Sequence, residues 1–470
     1  MPNRTPSTTR SRRIATAPGT PKFLARLNAD APKRARITFD RRIPFGQGAI
    51  EQYRLGNGLR VLLLEDHAAP VVAYHVWFRV GSRHEVEGKT GLAHLFEHLM
   101  FNETKNLPAG TFDRRLEAAG AHTNAGTWND WTYYHEDAPA SQLALVVKLE
   151  ADRMQNLVLR EPQVASEKEV VANERRYRVD DDVDGAVNEL LYKTAFDVHP
   201  YHHPTIGWME DILAFTTGDC RTFYKTYYAP NNATVVIVGD FAPAATLAKL
   251  QKHYGVIGAA KIPDEASQPE PRQKRERLVQ IEKSTPTAKL AIGYHSPALS
   301  DASHAALSIL SEALFGGRSA RLYRSIVTEL ELATDLAASA SMSFAPGLFE
   351  VYATAREGVS AEDMLHAVDE GFAALAQRPV TDDERDRAVA RTELSFLQGL
   401  ETVGGRAEQI GFFDAVLGEP AGSLARLELL RAVTTEQLAD AARRFLDPTQ
   451  RTVILVSPDA PGADSNGGES

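Results

Sequence analysis

The chain has 470 residues, 43% of them apolar and 24% charged, the make-up of a globular protein too long for one ordinary core. Its net charge of −10 argues against a nucleic-acid binder, and one cysteine, Cys220, excludes a disulfide framework or a cysteine-built metal site. No apolar run reaches the roughly 18 residues of a membrane-spanning helix.

Residues 1–29 hold six Lys or Arg and no acid, and lack the apolar centre of a secretory signal. A flexible basic segment is expected over 1–44. The cytoplasm is then the default compartment, with the periplasm open if the N-terminus was trimmed. Strand-like runs follow at 59–66 ("LRVLLLED") and 71–81 ("VVAYHVWFRVG"), expected to pair as a hairpin or edge pair. An apolar helix spans 91–101, and a second, 111–120, ends on Gly120. The stretch 121–138, rich in Thr, Trp and Tyr, reads as two strands. Helices are expected at about 141–157 and 161–178, and "ATVVIVGDF" (233–241) reads as a buried strand.

Residues 262–276 carry three prolines and many charges without periodicity, and read as a linker. The pattern then restarts with a strand at 289–297, a helix at 304–317 and a strand at 348–355. Helices fill much of 361–444, and "RTVILVSP" (451–458) closes the unit as a strand. The similar length and element order of 45–261 and 277–458 predict a duplicated α+β domain, each copy a mostly antiparallel mixed sheet packed against helices. The tail 459–470 has no core-forming residues.

Within "GLAHLFEHLMF" (91–101), His94 and His98 stand four residues apart on one helical face with Glu97 beside them. Leu92, Leu95, Phe96, Leu99, Met100 and Phe101 make this helix apolar nearly all round, so each polar group left unsatisfied costs about 1–3 kcal/mol. A zinc ion resolves that cost: imidazoles ligate and the glutamate handles protons, in the inverted H-x-x-E-H order. A third ligand is needed. In "VASEKEVVANERRYR" (164–178), Glu167 and Glu174 share a helical face with Val170 and Val171, and spacing alone does not say which ligates. His199, His202 and His203 lie in a Pro-rich loop and are read as surface or structural residues rather than a second metal site. No second-half counterpart of residues 91–101 is recognisable, and there is neither a phosphate loop nor a G-x-S-x-G element.

Together these residues resemble the pitrilysin/insulinase family of inverted zincins, and especially its short bacterial processing-type members. The resemblance covers about 45–460 and rests on "GSRHE" (81–85), "GLAHLFEHLMF" (91–101), "NAGTWND" (124–130), "EKEVVANE" (167–174), "HPYHHPTIG" (199–207) and "YAPNNATVVIVGD" (228–240). It implies one Zn2+ per chain on His94, His98 and Glu174, Glu97 as catalytic base and Glu167 as a supporting carboxylate. It also implies that a peptide substrate adds as a strand to Asn124, Ala125, Gly126 and Thr127. The activity implied is zinc-dependent endopeptidase; the net charge and the lack of a long apolar run leave neither nucleic acid nor membrane as an expected partner.

Active members of that family complete the site with an arginine and, after six intervening residues, a tyrosine from the second half. Aligning "SIVTELELATD" (325–335) puts Val327 and Thr334 at those positions, and the chain's only Arg-six-Tyr spacing, Arg221 and Tyr228, is in the first half. The resemblance therefore implies a heterodimer whose homologous partner supplies the pair. The alternatives are a non-catalytic, structural or chaperone-like relative and a homodimeric presequence-processing peptidase. For the last, the acidic run "VDDDVDG" (179–185) is a candidate chamber wall.

Overall fold

The computed structural model describes residues 20–264 and 268–459. Residues 1–19 and the expected tail beyond Asp459 lie outside the described residues.

Two sheets carry the fold. The first comprises β1 (Ile37–Phe45), β2 (Gly48–Leu55), β3 (Arg60–Glu65), β4 (Val71–Phe78), β5 (His122–Thr127), β6 (Thr132–Pro139) and β7 (Ala233–Gly239), in the order β1-β2-β3-β7-β4-β6-β5. The second comprises β8 (Arg277–Lys283), β9 (Lys289–His295), β10 (Ala333–Ala340), β11 (Leu348–Ala355) and β12 (Arg451–Pro458), in the order β10-β11-β9-β12-β8. Five strands correspond: β3-β7-β4-β6-β5 repeats as β8-β12-β9-β11-β10. The single parallel pair of each sheet, β3 with β7 and β8 with β12, falls at the same place. The α+β duplication expected from element order is therefore present.

The expected β3–β4 pairing is corrected. The late strand β7 lies between them, parallel to β3 and antiparallel to β4. All seven residues of β7 are buried, and a run that is apolar but for Thr234 is suited to a central strand. The flexible reading of 1–44 is also corrected from residue 20 onward. Leu24 of the helix Phe23–Leu27 and Ile37 of β1 are buried in the first core. The Asn28 amide ties the two by donating to Ile37 O (2.7 Å) and accepting from Ile37 N (2.8 Å).

One face of the first sheet is covered by its own helices, including Leu92–Leu99 and Leu143–Asn156. The other face is covered by a helix from the second half, Val403–Leu417. Its Ala407 and Ile410 pack with Leu62, Ala73, Trp77 and Val236. The exchange is mutual, because the first-half helix Val183–Ala195 puts Val187 and Leu191 against Ala291, Ile454 and Val456 of the second sheet. The boundaries 45–261 and 277–458 thus do not enclose two separately packed units. Between them, residues 268–276 have no regular structure, but Glu270 accepts from the backbone N–H groups of Asp197, Val198 and His199.

A buried carboxylate fixes this exchange. Asp414, fully buried on the helix Val403–Leu417, accepts from Arg60, from Arg79 (3.0 Å) and from the Thr234 hydroxyl (2.8 Å) on the first sheet. Gly411, one turn earlier, lets the helix lie on Trp77: a Cβ there would sit 2.0 Å from the indole nitrogen.

Candidate metal centre

The helix Leu92–Leu99 starts at Gly91, whose φ of 95° places it in the left-handed region that glycine tolerates. A side chain there would also collide with Ile206 O, at 2.5 Å. The first free N–H groups of the helix are taken by the buried Glu85 carboxylate, which accepts from Gly91 N (2.8 Å) and Ala93 N (2.6 Å). An acid at a helix N-terminus satisfies both the unpaired donors and the helix dipole. This task of Glu85, inside the quoted "GSRHE", was not legible in the sequence.

Leu92, Leu95, Phe96 and Leu99 are buried in the first core. The remaining face turns His94, Glu97 and His98 toward the helix Glu161–Arg175. Glu174 Oε2 lies 3.7 Å from His94 Nε2 and 3.3 Å from His98 Nε2. The three ligand atoms all fall within 4.8 Å of one another, and theirs is the one such cluster found among the described residues. Tetrahedral zinc with bonds of about 2.0–2.1 Å needs donors roughly 3.4 Å apart, so small side-chain shifts complete the set. Two imidazoles and a carboxylate suit zinc, and three protein ligands leave a fourth position for water.

The surrounding groups hold these donors in place. Glu167 Oε2 lies 3.8 Å from His98 Nδ1, the nitrogen facing away from the cluster, and Asn102 donates to Glu167 Oε1 at 2.9 Å. Such a carboxylate orients a ligating histidine and sets its tautomer. Arg178 pairs with the other oxygen of Glu174 at 3.1 Å. The open choice between Glu167 and Glu174 thus resolves by geometry: Glu174 joins the cluster and Glu167 stands behind it.

Electrostatics separate the members. Burial pushes His94 down to about 4, so it is neutral and able to ligate. Burial also acts to lower His98, but Glu174, Glu97 and Glu167 outweigh it and raise the ring above its ordinary value. Its hydrogen bond to His98 holds Glu174 below the usual carboxylate range. Burial lifts the Glu97 carboxyl above its ordinary value, opposed by the adjacent Thr127 hydroxyl and His98.

Asn124, Ala125, Gly126 and Thr127 form most of β5, an edge of the first sheet, paired among the described residues on one side only, with β6. The other side of β5 is available to an added strand next to the cluster. Val327, by contrast, is half-buried against the second core, and Thr334 is exposed on β10 with its hydroxyl on Thr354 O at 3.2 Å. Arg221 is engaged with Leu159 O and Tyr228 is buried against Phe96, so that pair is structural.

The histidine loop and the acidic run also make structural contacts. His203 is buried with its Nδ1 3.8 Å from Glu85, and His199 caps the short turn Pro200–His202 by accepting from Tyr201 N, so the histidine loop supports the motif helix. In the acidic run, Asp182 caps the helix Val183–Ala195 by accepting from Gly185 N.

The second half does contain a counterpart of the motif helix, contrary to the expectation from sequence. The helix Ser303–Phe315 lies between β9 and β10 as Leu92–Leu99 lies between β4 and β5. Aligning "AHLFEHLMF" with "LSILSEALF" puts Ser308, Ser311 and Glu312 where the first half has His94, Glu97 and His98. The spacing survives and the two imidazoles do not, which is why no metal pattern marks it.

Residues 60–207 match the model of the insulinase family, peptidase family M16, and residues 214–392 match that of the peptidase M16 inactive domain. The chain is 30% identical over 417 residues to the zinc protease PqqE of Helicobacter pylori, covering 87% of this chain and 93% of that one. It is 28% identical to an uncharacterized zinc protease of Streptomyces coelicolor, over 90% and 93% of the two chains. The crystal structure of a protease from Helicobacter pylori superposes with a TM-score of 0.83 at 29% identity, covering 87% of this chain and 99% of that one. The periplasmic protease PqqL from Escherichia coli shares the fold, with a TM-score of 0.73 at 20% identity, and this chain spans 48% of it.

Proposed function

Because this chain belongs to peptidase family M16, the insulinase family, we propose that it is the zinc-bearing subunit of an endopeptidase acting on peptides or unfolded segments. The observation that carries the reading is the approach of His94, His98 and Glu174 to within 4.8 Å, beside the unpaired edge of β5.

His94, His98 and Glu174 would hold one Zn2+ per chain, with Glu167 orienting His98. When bound, zinc supplies a water of lowered pKa and polarises the scissile carbonyl. The main chain of Asn124 to Thr127 binds the substrate as an added strand and brings the scissile bond toward Glu97. The Glu97 carboxylate takes a proton from the attacking water and later gives it to the leaving amine. Burial raises its pKa, the direction that suits a group which both takes and gives a proton. The intact donor set favours this over a non-catalytic role.

No Arg/Tyr pair stands at the aligned second-half positions, Val327 and Thr334. A homologous partner subunit carrying that pair would bind the substrate carbonyl region and support the developing oxyanion. The test is hydrolysis of a quenched fluorescent peptide by the chain alone, and by the chain mixed with a homologue carrying the pair. Activity confined to the mixture and lost in Glu97→Gln is expected. Full activity of the chain alone would remove the partner, and activity surviving in Glu97→Gln would remove the proposed base.

A further inference from the structure

Beside the second-half counterpart of the motif helix lies a cavity of about 440 Å³. Ser308, Ser311 and Glu312, the residues aligned with the zinc motif, form one wall. Residues 338–340 of β10 form another, and Ser423 and Arg426 of the helix Gly422–Arg431 close it. The cavity thus stands to β10 as the metal centre stands to β5, and each of those strands is the edge of its sheet.

Its polar groups are unevenly satisfied. One terminal nitrogen of Arg426 donates to His304 Nδ1 (3.0 Å) and to the Ser308 hydroxyl (2.9 Å), while its Nε and other terminal nitrogen meet no acceptor among the described residues. No carboxylate pairs with this guanidinium there, and burial pushes it down to about 10. His304 cannot neutralise it: Nε2 donates to Ser341 O (2.9 Å), which leaves Nδ1 as acceptor on an uncharged ring. Glu312, the one acid in the wall, is already held by Arg391 Nε at 2.5 Å. The Ser423 hydroxyl is buried and without a partner among the described residues.

A largely buried cation without a counter-charge is unfavourable unless something anionic meets it. A guanidinium with free N–H groups fits the two oxygens of a carboxylate, and the adjacent Ser423 hydroxyl can donate to the same group, whereas Ser308 already donates to His304 O (2.9 Å). The strand β10 beside it is the edge of its sheet, which suits an extended peptide, with Ala338 O already accepting from the Ser311 hydroxyl (2.8 Å). We propose that this cavity is a metal-free docking site for a carboxylate of a peptide, either its C-terminus or an Asp or Glu side chain, bound by Arg426 and Ser423, with Ser308 holding the guanidinium in place. The site requires no zinc and stands independently of the peptidase reading.

The test uses the full chain stripped of metal with a chelator, so that binding is read without cleavage. Three fluorescein-labelled Ala/Thr/Val decapeptides are titrated by anisotropy: a free acid, its C-terminal amide, and an amide with one internal Glu. The free acid, the Glu peptide or both are expected to bind at least about tenfold more tightly than the plain amide. Preference for the acid alone identifies the C-terminus, and preference for the Glu peptide identifies a side chain. Arg426→Gln is expected to bring the favoured peptide down to the amide's affinity while leaving the amide unchanged. Equal binding of all three peptides to the wild type, or a preference that survives in Arg426→Gln, overturns the proposal. If Arg426→Gln does not fold, the double variant Ser308→Ala, Ser423→Ala decides: the preference shrinks at least threefold, or the site is elsewhere.

Discussion

The two halves of this chain share five corresponding strands and a helix at the same point of the sheet, yet they present opposite chemistry there. In the first half, two imidazoles and a carboxylate converge beside an edge strand. In the second, hydroxyls and an unneutralised arginine take the equivalent place. A duplicated scaffold therefore fixes where a site can form, while a few side chains at i, i+3 and i+4 decide what it holds.

The sharpest way to break this comparison is to remove equivalent residues from each half. His98→Ala is expected to reduce zinc from about one per chain to almost none by metal analysis after gel filtration, whereas Glu312→Ala leaves it unchanged. Glu97→Gln is expected to keep the metal but lower peptide hydrolysis by about 10²–10⁴-fold, the usual share of a general acid–base. Equal zinc loss in His98→Ala and Glu312→Ala would erase the distinction drawn between the halves.

The exchange of helices is tested through stability. Asp414→Ala leaves Arg60 and Arg79 without their shared carboxylate and is expected to cost about 3 kcal/mol in urea unfolding. The low end of the usual range applies because Arg79 retains 32% side-chain exposure. Gly411→Ala forces a methyl group into Trp77 and is expected to cost about 1–3 kcal/mol by the same measurement. If neither substitution moved the midpoint, the helix Val403–Leu417 would not be holding the halves together.

The smallest expected effect is a pH dependence in the second half. Burial pushes His304 down to about 4 from 6.5, so the folded state resists protonation that the unfolded chain accepts. The stability it contributes is complete above about pH 6.5 and is lost as pH falls toward 4. Between pH 7 and pH 5.5 the loss is about 1 kcal/mol. His304→Gln is expected to remove that part of the slope. Buried His203 keeps a similar slope in the first half, so the difference between wild type and variant is the quantity to read.

Most of the elements were legible because their periodicities are strong. Both central strands β7 and β12, the helix ending before Gly120, and the β5–β6 pair all follow from residue pattern. The metal residues were legible for a different reason: polar groups on an otherwise apolar helix have no other satisfaction. What escaped depends on residues far apart in sequence. β3 and β4 are near neighbours in the chain but are separated in space by β7, some 160 residues later. Glu85 capping the motif helix, and Ser308 standing in the place of His94, leave no local signature.

By itself the sequence determined the α+β class, the duplication and the zinc motif, because burial and helical spacing are local properties written in the order of residues. Tertiary structure brought Glu174 against the two imidazoles, as the resemblance implied, and alone decided that each half lends a helix to the other's sheet and that Arg426 is largely buried without a counter-charge among the described residues. These last facts are distances between segments remote in sequence, and only the packing of two sheets against shared helices sets them.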